Sequence, residues 1–250
     1  MDVEAYWGAG FLAGRVRAAE PSWSYRAMAR SILSDAESAL DMGTGEGGVL
    51  ASLAPLPRLM VAYEEWWPTV PAAQATLTPL GVHLVVALGS VDNSASPDAP
   101  SRPGLPFRSD AFDVVLNRHE AFDPSEVRRV IKPLGRFLTQ QVGSDDAASV
   151  RALLGLPVDD RLWTATVAIG QLEAVGWTIQ EVHEDRQTLA FSDIAALIGY
   201  VRSTPWAFED LDWVTARPQL QQLHALSRSK PIEAVSHRFV VSARPTVSRA

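Results

Sequence analysis

The chain contains no cysteine. That excludes disulfides, thiolate metal sites and cysteine nucleophiles. It also has no excess of positive charge: 22 Lys and Arg stand against 29 Asp and Glu, a formal net charge of -7. Long-range attraction to phosphate-rich polymers is therefore missing, which disfavours nucleic acid as a partner. No apolar run approaches the ~18 residues of a membrane span, so no membrane partner is expected. "MDVEAYWGAG" lacks the basic start of a signal peptide, so the cytoplasm is the expected compartment. His83, His183, His224 and His237 fall singly, without metal-ligand spacing, and no metal site is expected. The Ser/Asp pairings, "FRSDAF" among them, lack a nucleophile elbow, which disfavours a hydrolase. Apolar residues, by contrast, make up 47% of the 250, enough for one globular domain with a sizeable core.

Periodicity and punctuation divide that domain. Residues 1–20 read as a loose arm, and "PSWSYRAMARSIL" as a short amphipathic helix with Tyr25, Met28 and Ile32 on one face. "SALDMG", "RLMVAYE", "VHLVVAL", "FDVVLNR", "GRFLTQQVG" and "WTIQEVHED" read as six strands, with "HRFVVSAR" the last. Between them, "GGVLASLA", "PAAQATLTPLG", "DPSEVRRVIKP" and "RLWTATVAIGQLEAVG" read as helices, and two more fall near 192–203 and 218–228. Asp123, Pro124 and Glu126 give the third of these a cap, a first-turn proline and an acid three residues on; Val127, Val130 and Ile131 form its stripe, and Pro133 stops it. Residues 89–104 are almost all Gly, Ser, Pro, Asp and Asn, a loop or flap expected to be mobile. Alternating strands and helices predict an α/β fold, a doubly wound parallel Rossmann-like sheet with helices on both faces. The expected organisation is an arm and lid helix over 1–34, then one domain over 35–250 with a helical insertion about 192–228.

The densest glycine cluster is "LDMGTGEGGVL", residues 40–50, between the first strand and its helix. Such a turn brings backbone N–H groups close to a ligand. Gly43, Gly45 and Gly48 meet the G-x-G-x-x-G spacing of dinucleotide enzymes, and Glu64 ends the second strand, where an acid takes ribose hydroxyls. Asp41 tips the balance. A carboxylate there would repel a pyrophosphate, and suits a ligand with a cationic amino-acid end and no phosphate.

The sequence here resembles class I S-adenosylmethionine-dependent methyltransferases. D-M-G-T-G-E-G (41–47) is similar to their first motif, D/E-x-G-x-G-x-G. "VAYE" ends the second strand with an acid. "LPFRSDAFDVVLNRHEAF" (105–122) is similar to L-P-F…F-D-V-V, and "EVRRVIKPLGRFLTQQV" to the V-L-K-P-G-G block. The resemblance covers residues 38–143 and implies a seven-stranded sheet whose last strand is antiparallel. It implies S-adenosylmethionine as cofactor, held by Asp41, Gly43, Thr44, Gly45, Gly47, Glu64, Glu65, Trp66 and Asn117. Asp41 would approach the methionine amino group and Glu64 the ribose. Two departures stand out: Ser101 occupies the place of the acid that contacts the adenine amine, with Asp92 or Asp98 as substitutes, and Leu134 replaces the first glycine of P-G-G.

Beyond the cofactor, His119 is a candidate general base at the carboxyl end of the fourth strand, with Glu120 behind it. Arg118, His119, Trp23, Tyr25, Trp206 and Phe208 are candidate acceptor contacts. Bland readings stand beside these: Glu64 as a solvated strand-end acid, Asp41 as a helix cap, His119 as a structural group, Trp206 and Phe208 as a satellite core. The expected reaction is methyl transfer to a small-molecule acceptor at O or N. The alternatives are an RNA methyltransferase, for which only Arg118, Arg128, Arg129, Lys132 and Arg136 cluster, and a protein that binds S-adenosylmethionine without methylating. A nicotinamide oxidoreductase is disfavoured by Asp41. A monomer and a dimer are equally compatible with the sequence.

Overall fold

The structure is a computed structural model that describes residues 8–91, 93, 103–158 and 162–246. Asp92, Asp98, Ser101 and most of the expected 89–104 flap lie outside the described residues. The described chain runs α1 (Gly8–Leu12), β1 (Val16–Ala18), α2 (Tyr25–Leu33), β2 (Ser38–Met42), α3 (Gly48–Ala51), β3 (Leu59–Glu64), α4 (Val70–Leu77) and β4 (His83–Val86). It continues through β5 (Phe112–Arg118), α5 (Pro124–Val130), β6 (Ile131–Val142), α6 (Ser144–Leu153), α7 (Ala165–Ala174), β7 (Trp177–Phe191), α8 (Ile194–Ser203), α9 (Arg217–Leu226) and β8 (Ile232–Pro245).

The hydrogen-bonded strand order is β1-β7-β8-β6-β5-β2-β3-β4. β4, β3, β2, β5 and β6 run parallel, and β8 enters antiparallel beside β6. The sheet has eight strands where seven were expected. The extra one comes from the supposed loose arm, whose Val16–Ala18 pair antiparallel with Leu189–Phe191. The sixth and seventh expected strands are also longer, 15 and 14 residues.

Contacts divide the chain into two compact units. The larger comprises Ser22–Val142, Arg161–Glu184 and Arg238–Ala250. Because side chains alternate along a strand, its sheet carries two apolar faces. One holds Ala39, Ala62, Leu116, Leu138 and Val240 under α2, α3 and α4; the other holds Met42, Tyr63, Val115, Phe137 and Phe239 under α5 and α7. Helix α2 starts where the Ser24 hydroxyl accepts the Ala27 N–H at 3.2 Å. It buries Tyr25, Ala29 and Leu33, one residue round from the expected stripe.

Asp123 caps α5 through Ser125 and Glu126 N–H. Glu126 does not return to the cap. Its carboxylate takes the Leu105 N–H at 2.7 Å and the Arg129 guanidinium, and Arg129 donates to the Leu105 and Phe107 carbonyls. The L-P-F segment is thereby fastened to α5 just before β5. Ile131, expected in the helix, already belongs to β6, which carries Pro133 and Leu134 as exposed residues. Gly135 stays glycine because a Cβ there would lie 2.9 Å from the Asp113 carbonyl oxygen.

The smaller unit comprises Met1–Pro21, Gly143–Asp160 and Asp185–His237. Its core joins Val150 and Leu154 of α6, Leu189 and Phe191 of β7, Leu197 and Val201 of α8, Leu223 of α9, and Phe208. Helix α6 went unread in the sequence, although Asp145 and Asp146 in its first turn favour the helix dipole.

Candidate functional site

The site lies where β2, β3, β5 and β6 of the larger unit end, the place where open parallel sheets take ligands. The chain leaves β2 through Gly43, Gly45 and Gly47, with φ of 68°, 58° and 81°. These left-handed values favour glycine, which explains the spacing seen in the sequence. A Cβ on Gly43 would also sit 2.5 Å from Glu120 Cβ, so the residue after His119 packs on the glycine turn.

Strand register sorts the other groups by face. Asp41 lies opposite Ala62 and Leu116, so Glu64 and Arg118, two residues on, share its face, the one covered by α2. Gln140, aligned with Arg118, belongs to the same row. Asn117, aligned with Thr139, lies on the opposite face.

Glu64 is buried. Its Oε2 accepts the Gly45 N–H at 2.6 Å, and its Oε1 accepts those of Glu65 and Trp66 at 3.0 and 2.7 Å. Burial raises its pKa, against these three bonds. This is no solvated strand-end acid; it is a carboxylate locked to the glycine turn. Glu65 is committed elsewhere, accepting the Gly89 N–H at 2.7 Å. The Trp66 side chain is exposed at the end of β3.

Burial pushes Asp41 up to about 7, with Glu64 adding to the rise and Arg118 opposing it. Tyr25 faces the same space: burial and Asp41 hold its phenol well above the usual range, against Arg118. The Tyr25 hydroxyl and Thr44 Oγ1 are buried with no hydrogen-bond partner. On the other face, Asn117 Oδ1 accepts from Thr139 Oγ1 at 2.9 Å and Gln141 Nε2 at 2.6 Å, and its Nδ2 has no partner. Trp163 Nε1 joins this network through Gln141 Oε1 at 3.3 Å.

His119 follows directly on β5 with φ of 63°, a left-handed value rare outside glycine. The residue is exposed, yet protein surrounds it at longer range. That enclosure, then Arg118 and Arg238, hold it well below the usual histidine range; contact with water tempers the first effect. Trp23 Nε1 donates to Gln140 Oε1 at 2.9 Å, which turns the Gln140 amide nitrogen towards His119 Nε2 at 3.1 Å. An amide nitrogen only donates, so Nε2 accepts and the neutral ring carries its proton on Nδ1. The lone pair a general base needs is already engaged, which argues against the base role read from the sequence. Trp23, expected to line an acceptor wall, instead fixes Gln140 and stacks on His183 at 5.9 Å.

The structure thus brings together Tyr25, Asp41, Thr44, Glu64 and Arg118, with Glu120 on Gly43. Trp206 and Phe208, read from the sequence as acceptor contacts, belong to the smaller unit, Phe208 within its core and Trp206 exposed at 61%. Gln140, Gln141, Thr139 and Arg238 were missed. For Thr139, Gln140 and Gln141 the signal was the polar run T-Q-Q near the end of their strand.

The residues fit S-adenosylmethionine. A glycine turn, a strand-end carboxylate for hydroxyls, a second carboxylate for an ammonium, and orphaned buried polar atoms between them match its polar groups.

No protein-family profile matches the sequence, and no curated protein matches it. Solved structures do. A provisionally assigned methyltransferase of Bacillus halodurans superposes with a TM-score of 0.59 over 90% of this chain and 100% of its own, at 18% identity. The YcgJ protein of Bacillus subtilis gives 0.60 over 89% and 98%, at 16% identity. The 4+2 cyclase SpnF gives 0.52 over 89% and 81%, at 16% identity. Identities this low speak for architecture alone. With the strand order, the antiparallel β8 and the glycine turn after β2, they show that the chain has the class I methyltransferase fold.

Proposed function

We propose that the protein binds S-adenosylmethionine and transfers its methyl group to a small-molecule acceptor. The observation that carries this reading is the Asp41–glycine turn–Glu64 arrangement, two buried carboxylates on one face at the ends of adjacent strands. Gly43, Thr44, Gly45 and Gly47 would carry the chain past the cofactor, Glu64 would take the ribose hydroxyls, and Trp66 would border the adenine. The sulfonium supplies the reactivity; the protein orients the acceptor and excludes water. Bound there, S-adenosylmethionine would offer its methyl group to the acceptor lone pair, and the chain's own part would be to take up the proton that the acceptor gives up. With the His119 lone pair engaged by Gln140, that proton passes to Glu120 or to water. This favours an amine or an acidic hydroxyl as acceptor.

Charge pairing speaks against RNA. Of the five basic residues clustered in the sequence, Arg129 is paired with Glu126 and Lys132 with Asp113, each at 2.8 Å. A second reading, cofactor binding without methylation, is kept because SpnF, a cyclase, has a similar fold. Methyl-labelled S-adenosylmethionine incubated with small-molecule and RNA fractions of a cell extract separates the readings. Label in a small molecule is expected. Label in RNA, or none despite measured cofactor binding, would overturn methyl transfer to a small molecule.

A further inference from the structure

One cation at the site lacks a counterpart. Arg118 is half-buried at the end of β5, and its guanidinium makes no hydrogen bond or ion pair with any described residue. No described residue orients its five N–H donors. Arg26 and Arg238 add positive charge around it, and burial lowers its pKa. Across the same face stands Asp41, which makes no ion pair with Arg118 within 4 Å. Tyr25 of α2 is buried on this same face with its hydroxyl unpartnered, and the charges of Asp41 and Arg118 both act on it.

Two opposite charges held near each other and left unpaired define a demand on the ligand. A lone anion would satisfy Arg118 but meet repulsion from Asp41. A lone cation would meet the reverse. A group carrying both charges a few bonds apart satisfies both and adds no net charge to an enclosed site. We infer that Arg118 and the Tyr25 hydroxyl form a carboxylate anchor which, opposite Asp41, clasps the amino-acid end of the bound ligand: Asp41 the ammonium, Arg118 and Tyr25 the carboxylate. Resting on the proposed function, this assigns the carboxylate to the methionine tail of the cofactor. It moves Arg118 from acceptor contact to cofactor contact, and the acceptor then needs no anionic group.

The test compares two ligands by titration calorimetry. S-adenosylhomocysteine carries the amino-acid end; 5′-methylthioadenosine has the same adenosine and thioether without it. Arg118→Gln should weaken S-adenosylhomocysteine binding by at least about tenfold, as for a lost charged hydrogen bond, and leave methylthioadenosine binding unchanged. Unchanged methylthioadenosine binding also shows that the variant folds. Tyr25→Phe, which removes one oxygen atom, should give a smaller loss with the same selectivity. An affinity ratio unmoved by both variants would overturn the anchor. So would a rise in acceptor KM alone, which would return Arg118 to the acceptor. If the wild-type protein binds neither ligand, the proposed function itself falls, a different result from an unmoved ratio.

Discussion

Replacing Asp41 with asparagine separates the stability of this protein from its function. Burial raises the Asp41 pKa from 3.8 to about 7. A native pKa above the unfolded one means that the native state binds the extra proton between those two values. Stability is then fullest below about pH 4, falls as pH rises through the interval, and is lowest above about pH 7. About three units at 1.36 kcal/mol each give about 4 kcal/mol as an upper bound. The groups that face Asp41 are Thr44, Arg118, Glu64 and Tyr25; Arg118 already offsets part of the burial cost. Asp41→Asn removes the titration. At pH 8 the variant should therefore be more stable than the wild type, by up to about 4 kcal/mol, with the gap closing towards pH 4. Urea unfolding at pH 4, 6 and 8 reads this directly. The variant should also lose affinity for S-adenosylhomocysteine, whose ammonium it can no longer meet with a charge. Parallel pH–stability curves for the two proteins would refute the reasoning, because they would mean that Asp41 ionises without cost.

Three further outcomes follow from the geometry. Glu64→Ala strands three N–H groups and would remove the proposed ribose acceptor, and calorimetry should show S-adenosylhomocysteine binding weaker by about 1–3 kcal/mol. Gly43→Ala meets both a left-handed φ and Glu120 Cβ, so thermal melts should show a loss of at least about 1–2 kcal/mol, whereas Gly48→Ala, with nothing within 4 Å, should be unchanged or slightly stabilised. Phe208→Ala empties a core position and should cost about 3–5 kcal/mol, while the exposed Trp206→Ala should leave unfolding almost unmoved; equal losses would contradict the assigned packing.

Local chemistry made part of this molecule readable from its sequence. The glycine turn was legible because left-handed backbone leaves few residue choices, and the parallel strands because buried strands and capped helices alternate. Asp123 capped its helix as read. The cap did not foretell that Glu126 would hold the L-P-F segment, since that partner lies 21 residues away. The three residues of β1 carry no alternation of their own and become a strand only against Leu189–Phe191. His119 looked like a base because its position was right. Its tautomer depends on Gln140, and that amide's orientation on Trp23, a residue 117 positions from it. Such chains of dependence are set by packing, which residue type and spacing alone do not encode.

The central claim is that the Asp41–Glu64 face was built for S-adenosylmethionine. Calorimetric titration of the wild-type protein with S-adenosylhomocysteine and, separately, with NAD tests it most directly. The account predicts saturable binding of S-adenosylhomocysteine, accompanied at pH 7 by release of about half a proton as Asp41 ionises against the ammonium, and no binding of NAD. Saturable NAD binding with no response to S-adenosylhomocysteine would contradict it.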